Sequence, residues 1–434
     1  MHCPEAKIKQ LNHPQPERRL EALRSLRADL RSGTIAPPPA GEDVNNHIHT
    51  TYSFSPYSPS MAVWRSFMAG LRTAGIMDHD SIAGAEEFVE AGRIIGLATT
   101  VGVECRCDFS AIAFADRRIN NPEQSGNTYI ALHGIPHTRL KEVSAYFRPL
   151  REARNRRNRM MVRALNELLA EPALQLNLDT DVIPLSMYNQ GGTVTERHIL
   201  FALSLRLTAR FGKGPKLLSF LRERLELPIG AKVLEYLTDP ANPHYEYDLL
   251  GALKSELMNR FYLDAAEECP PVGESLAFAE SIGAISAYAY LGDITESVTG
   301  DKKAQRFEDA YLDQLFELLG ELGFRAVTYM PNRNTPQQLR RVQTLCRKYG
   351  LLEISGVDIN SPRQQFSCPE IRRPQFRHLI ASTWALIGHE TAATRDPERG
   401  LFSRETIERL PELQQRIETY AKIGRDYGRK LSIE

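Results

Sequence analysis

The sequence predicts an α/β protein, a parallel sheet or barrel divided by a mostly helical insertion and flanked by helical extensions. Three observations predict it. Short apolar runs alternate with amphipathic stretches from Val44 onward, the pattern of βα units. The alternation stops over residues 139–275, where helical spacing takes over. Polar side chains able to bind a metal recur where the strand candidates end, and in a βα-barrel such ends converge on one face.

Each element has its own local reason. Leu20, Leu23, Leu26 and Leu30 repeat at helical spacing, and Pro37, Pro38 and Pro39 follow, so residues 1–43 read as a helical arm and linker. Strand candidates lie at 44–49, 74–80, 98–104, 127–134, 281–288, 324–330 and 351–358, and helices at 61–73, 81–95, 309–322 and 335–348 accompany them. These place a barrel at 44–138 and 276–375. The insertion, 139–275, holds helices at 148–171, 196–211, 215–225 and 249–268. Residues 376–434 form C-terminal helices, at 376–390 and 405–431.

Composition narrows the function classes. The 434 residues are 42% hydrophobic and 25% charged, which excludes disordered and collagen-like chains. Lys+Arg and Asp+Glu are each 54, so the overall balance gives no sign of a nucleic-acid or membrane-surface binder. Six scattered Cys are too sparse for a disulfide framework, and Cys105 and Cys107 read as reduced thiols near a strand end. No apolar run is long enough to span a membrane, and the first residues lack the apolar core of a secretory signal. A cytoplasmic location is the expectation.

Five of the eleven His fall between positions 47 and 137. His47 and His49, two apart, close the first strand candidate and share a face. Asp78, His79 and Asp80 close the second, Glu104 the third, His133 the fourth and Asp358 the last. Singly, each has an ordinary structural reading: a strand-end His is commonly a hydrogen bonder, and Asp-His-Asp can cap the next helix. Together at successive strand ends they favour a site for zinc, manganese or iron.

The segments HIHTTYS, GIMDHDSIAGAEEF, VGVECR, YIALHGIPH and ISGVDIN resemble, in order, the motifs of the polymerase-and-histidinol-phosphatase (PHP) family of metal-dependent phosphoesterases. The resemblance covers residues 44–138 and 276–362. RRNRMMVRALNELL and GGTVTERHILFALS resemble the helical insertion of members that hydrolyse nucleotide phosphates and cyclic phosphates. The resemblance implies a distorted (β/α)7 barrel and metal ligands at His47, His49, His79, Glu104, His133 and Asp358, with Glu104 bridging two ions. It implies catalytic roles for His79, His133 and Asp358, with metal-activated water attacking phosphorus.

Three positions depart from the family pattern: Phe54, Tyr288 and Asn360 stand where ligands are expected. By the family's arrangement His47, His49, Glu104 and Asp358 make one complete site. A second site keeps Glu104 and His133 but has Tyr288 in place of His, and a third keeps only His79. One metal is therefore the firm expectation and a second is an option.

Further residues are candidates for binding substrate. Asp293, Lys302 and Lys303 follow the fifth strand, and Arg333 and Asn334 follow the sixth. Lysines there can hold a phosphate oxygen, although a solvated loop is the more ordinary reading of them, and Arg333 can hold phosphate in a fork, for which a turn role is an equal alternative. His198 resembles the insertion's substrate-side residue, and His137 is a candidate outer partner of the metals. Seven Arg lie between 148 and 163, read either as a phosphate-recognition helix or as a face paired with acids elsewhere.

The expected function is hydrolysis of a small phosphorylated molecule. The alternative is a barrel that has lost its chemistry and serves as a metal-containing binding or regulatory module. A nuclease role stands third, because the neutral charge speaks against strong nucleic-acid affinity. Neither a membrane partner nor a particular oligomeric state is indicated.

Overall fold

The computed structural model describes residues 4–39, 41–112, 116–294 and 305–433. Its seven strands form one sheet in chain order: β1 (Val44–Ile48), β2 (Thr73–His79), β3 (Ala98–Asp108), β4 (Asn127–His133), β5 (Ile285–Ala289), β6 (Ala326–Tyr329) and β7 (Leu352–Ser355). The sheet curls into a nearly closed, distorted barrel. A bridge between Ile48 and Ile359 joins its edges, and the Asn45 and Asn46 amides donate to the backbone of Val357 and Ser355.

The sheet is not all parallel, which corrects the expectation. β1–β2–β3 and β5–β6–β7 run parallel, but β4 is antiparallel to both neighbours. Among the described residues no helix separates β3 from β4. Without a crossover element a chain cannot return to start a parallel strand, so it folds back as an antiparallel one.

The longer helices follow in chain order: α1 (Pro16–Arg31), α2 (Pro59–Met68), α3 (Ala85–Ile95), α4 (Leu140–Leu169), α5 (Glu196–Phe211), α6 (Tyr245–Glu256), α7 (Val272–Ser281), α8 (Leu312–Leu322), α9 (Pro336–Tyr349), α10 (His378–Arg395) and α11 (Leu413–Ile433). Helix α4 begins before the expected residue 148, although Pro149 lies inside it. Buried Val143 and Phe147 pack its first turns onto the barrel, and that packing overrides the local signal. At 30 residues it spans about 45 Å.

The barrel interior is lined by Met77, Ala131, Ile285, Ala287, Ala326, Leu352 and Ile354, with Leu386 of α10 packed against them. A separate core, including Leu165, Leu203 and Leu253, holds the helical segment between β4 and β5 together. The N-terminal stretch is fastened to the barrel: buried Arg19 pairs with Glu87 of α3, and Leu23 and Leu26 join the main core. Helices α10 and α11 touch closely at Gly388 and Gly424, where a Cβ would collide with partner backbone at 1.9 and 2.0 Å. Among the described residues no helix is long and apolar enough to cross a membrane.

Candidate metal centre

β1 and β2 end at the rim beside β3, which runs on to Asp108 past the expected end at Glu104, and the register sets His79 directly opposite Glu104. The Glu104 carboxylate is the centre of the site. One of its oxygens, Oε2, lies 3.2 Å from His79 Nδ1, 3.5 Å from His47 Nε2 and 3.9 Å from His49 Nε2. His49 Nε2 is also 3.3 Å from Asp358 Oδ1. His47, His49 and Glu104 offer three ligand atoms within 4.8 Å of one another, a group able to hold a metal ion. His47 Nε2 is buried without a hydrogen-bond partner, 3.5 Å from Glu104 Oε2, and its lone pair is free to bind a metal. The donor set, two imidazoles and a carboxylate, suits zinc, manganese or iron.

Backbone details hold the donors in place. The β1–β2 register shifts between Asn45 and Ile48, and such a bulge re-aims side chains at a rim. Gly356, just after β7, lies against His47: a Cβ there would come within 2.6 Å of the His47 Cβ. Asp78 faces away from Glu104 and takes hydrogen bonds from the Thr50 amide, the Thr50 hydroxyl and Ser53 Oγ, each at 2.6 Å. Ser53 in turn lies 3.2 Å from His49 Nδ1, so Asp78 orients His49 through one hydroxyl. Asp80 adopts a left-handed φ of 49° and turns to the helical segment, where Arg154 pairs with it at 3.1 Å.

The charges in the cluster are strongly coupled. Burial disfavours protonated His47, but the Glu104 carboxylate outweighs it and raises that imidazole. Burial, with the neighbouring His49 and Arg154, pushes His79 well below its ordinary value. Burial opposes ionisation of Asp358, yet the hydrogen bond and charge of His49 hold its carboxyl well below the usual range.

A narrow cavity of about 50 Å³ opens above the cluster, lined by His49, His79, Arg106, Arg154, Arg197 and Lys254 among others. It has room for a few waters or a small polar group. Arg106 and Arg154 are buried, and the Nε of each has no hydrogen-bond partner. Nothing in the sequence marked Arg106, Arg197 and Lys254 for the site. Arg154 belonged to the run that was noticed, but which member faces the site depends on helix phase and on Asp80.

The remaining candidates scatter. His133 lies on antiparallel β4, so the strand's end points away from the rim. Ala131 is the residue opposite Glu104, and His133 sits one interior position deeper, where burial and His47 lower it to about 3. It is not in the ligand group. Tyr288 is not at the site: fully buried in the main core, it donates to Glu308 at 2.8 Å. The second set built on Glu104, His133 and Tyr288 is therefore not assembled. Phe54 packs edge-on against His198, ring centroids 4.9 Å apart, and joins the core of the helical segment. Asn360 stays at the site, where its amide donates to Asp358 Oδ1 at 2.6 Å.

His198 accepts from the Thr195 amide at 3.0 Å in a capping box at the start of α5. Its ring is buried, and the cavity lining does not include it. Arg333 and Asn334 bond the Leu291 carbonyl, and neither lines the cavity. His137 sits at the opposite end of the barrel, 2.6 Å from Glu390, which also binds Thr100. Thr100 is four residues from Glu104 along β3, about 13 Å. Asp293 accepts from the Phe307 amide and so organises its own loop. Lys302 and Lys303 lie outside the described residues.

Comparison with solved structures finds the fold elsewhere. The crystal structure of a candidate metal-dependent phosphoesterase from Bifidobacterium adolescentis is 20% identical, with a TM-score of 0.51, over 80% of this chain and 97% of that one. An amidohydrolase from Chromobacterium violaceum, solved with sulfate and no metal, is 15% identical with a TM-score of 0.49, over 78% and 96%. At such identities the likeness to the first is one of fold. No family model and no curated protein matches the chain.

Proposed function

We propose that this chain is a metal-dependent hydrolase of a small phosphate ester, working at the rim of the barrel with one divalent ion. The observation that carries the proposal is the pairing of two deficits. Below, His47 Nε2 lacks a partner within a three-donor group. Directly above, the small cavity is lined by Arg106 and Arg154, each with a buried Nε–H that has no hydrogen-bond partner. The first deficit calls for a cation and the second for an anion, and a metal with a phosphate group satisfies both. The five motif segments that resemble the PHP family support the same reading.

His47, His49 and Glu104 would hold the ion. A bound divalent ion supplies Lewis acidity and lowers the pKa of a water toward neutrality. The chain's own residues do the rest. Asp78, through Ser53, fixes the His49 ring. Arg154 and Arg197 draw the anionic group into the cavity and stabilise the charge that builds on its oxygens. His79 stands at the cavity edge, its Nδ1 3.2 Å from Glu104 Oε2, and orients that carboxylate. Asp358 holds His49 from the other side. His133, whose Nε2 is likewise buried without a partner, lies one interior position deeper and stands behind the group.

A second reading has one observation in its favour: Asn360 donates to Asp358 and occupies an oxygen a ligand would need. It makes the chain a metal-containing binding module without turnover. The test is metal analysis of purified protein with assays on phosphomonoesters and phosphodiesters. The expected result is about one transition-metal ion per chain and hydrolysis lost in His49→Ala. Metal-loaded protein inert on both ester classes would select the module, and protein that binds no transition metal would remove both readings.

A further inference from the structure

A cleft larger than the one above the donors lies at the other end of the barrel. It has a volume of about 600 Å³ and runs past Leu71 and Leu97, next to the starts of β2 and β3, to helices α10 and α11. That volume is in the range of small-molecule sites. Ala98, which lines it, is six residues from Glu104 along β3, about 20 Å. The cleft is therefore separate from the metal centre.

Its lining is chemically divided. Leu71, Leu97 and half-buried Trp384 make an apolar floor, and Gly428 beneath the indole leaves no side chain to displace it: a Cβ there would lie 2.8 Å from the ring. Around this floor stand Arg72, Arg377, Arg425 and Arg429, against one acid, Glu42. Arg377 reaches Glu42 at 3.4 Å, and Arg429 is held by Asp426 at 2.6 Å. Among the described residues Arg72 and Arg425 have no carboxylate within ion-pair distance. In a chain whose formal charges cancel, an excess of guanidinium around one apolar cleft is a local field for anions.

We propose that this cleft binds an aromatic phosphate: a flat ring on the Leu71–Leu97–Trp384 floor, with phosphate oxygens shared by Arg72 and Arg425. Guanidinium groups suit phosphate because their paired N–H donors match its oxygens, and an indole suits a planar ring. Neither feature alone selects this ligand; their adjacency does. The site does not depend on whether the rim hydrolyses phosphate esters.

Titration calorimetry of the full chain at low salt with α,β-methylene adenosine diphosphate tests this, because the P–C–P link of that probe resists cleavage. Both arginines are exposed, so Arg72→Gln/Arg425→Gln leaves the core untouched. The double variant is expected to weaken binding by about tenfold or more, the loss of two charge-assisted contacts. Adenosine is expected to bind far more weakly than the probe. Glu104→Gln, which disables the rim, is expected to bind as the parent does. The proposal is overturned if the parent does not bind the probe, if the double variant binds equally, or if Glu104→Gln abolishes binding.

Discussion

The two ends of this barrel carry cations in opposite ways. At the rim, Arg106, Arg154 and Arg157 are buried and braced against Asp80, Glu196 and Glu268, with Arg157 to Glu196 at 2.5 Å and Arg106 to Glu196 at 3.3 Å. At the far cleft, arginines stand exposed, two of them without an acid. The difference teaches where geometry is fixed in advance. Buried guanidiniums cannot wander, because each is held by a carboxylate whose loss would strand a charge. Exposed ones adapt to what arrives. The rim has the character of a site for chemistry, and the cleft that of a site for binding.

The sharpest way to break this contrast is Asp80→Ala. It leaves Arg154 buried without its partner, and removing one member of a buried pair costs about 3–5 kcal/mol. Chemical denaturation is expected to show that loss. A change below about 1 kcal/mol would mean that the rim is as pliable as the cleft. A smaller effect is expected from Asp78→Asn, which touches no ligand atom and acts on His49 through Ser53. Metal affinity, measured by competition with a chelating dye, should fall about 10–100-fold. The smallest effect belongs to Arg156→Ala. Arg156 adjoins Arg157 on the same helix, but its ion pair with Glu267 at 2.6 Å is solvent-exposed. Such pairs are worth about 0–1 kcal/mol, so the denaturation midpoint should barely move. A large shift there would erase the distinction between neighbouring arginines on which the comparison rests.

The sequence carried part of this picture, and residue chemistry explains which part. Donors at the ends of β1 and β2 were legible because local pattern marks where those strands stop, and Glu104 because β3 runs parallel beside them, although β3 itself continues four residues further. The setting of His133 was not legible because strand direction is not local: nothing inside 127–134 says which way β4 runs. The one available signal was the missing helix before it. The arginine run was legible as charge but not as roles. Arg154, Arg156 and Arg157 read alike until helix phase and the distant acids at 80, 267 and 268 are known. Phe54 was legible only as a lost ligand, since its place against His198 depends on how the helical segment sits on the barrel.

The reversal of β4 has a consequence for how such a protein diversifies. Because β4 and β5 are antiparallel neighbours, with His133 registered against Ile285, everything between them is a detour from what would otherwise be a plain hairpin. The detour climbs the wall as α4, roofs the donors and comes back to where it left. A lineage could lengthen, trim or exchange that roof, and so alter which molecules gain entry, while the strands that carry the donors went untouched.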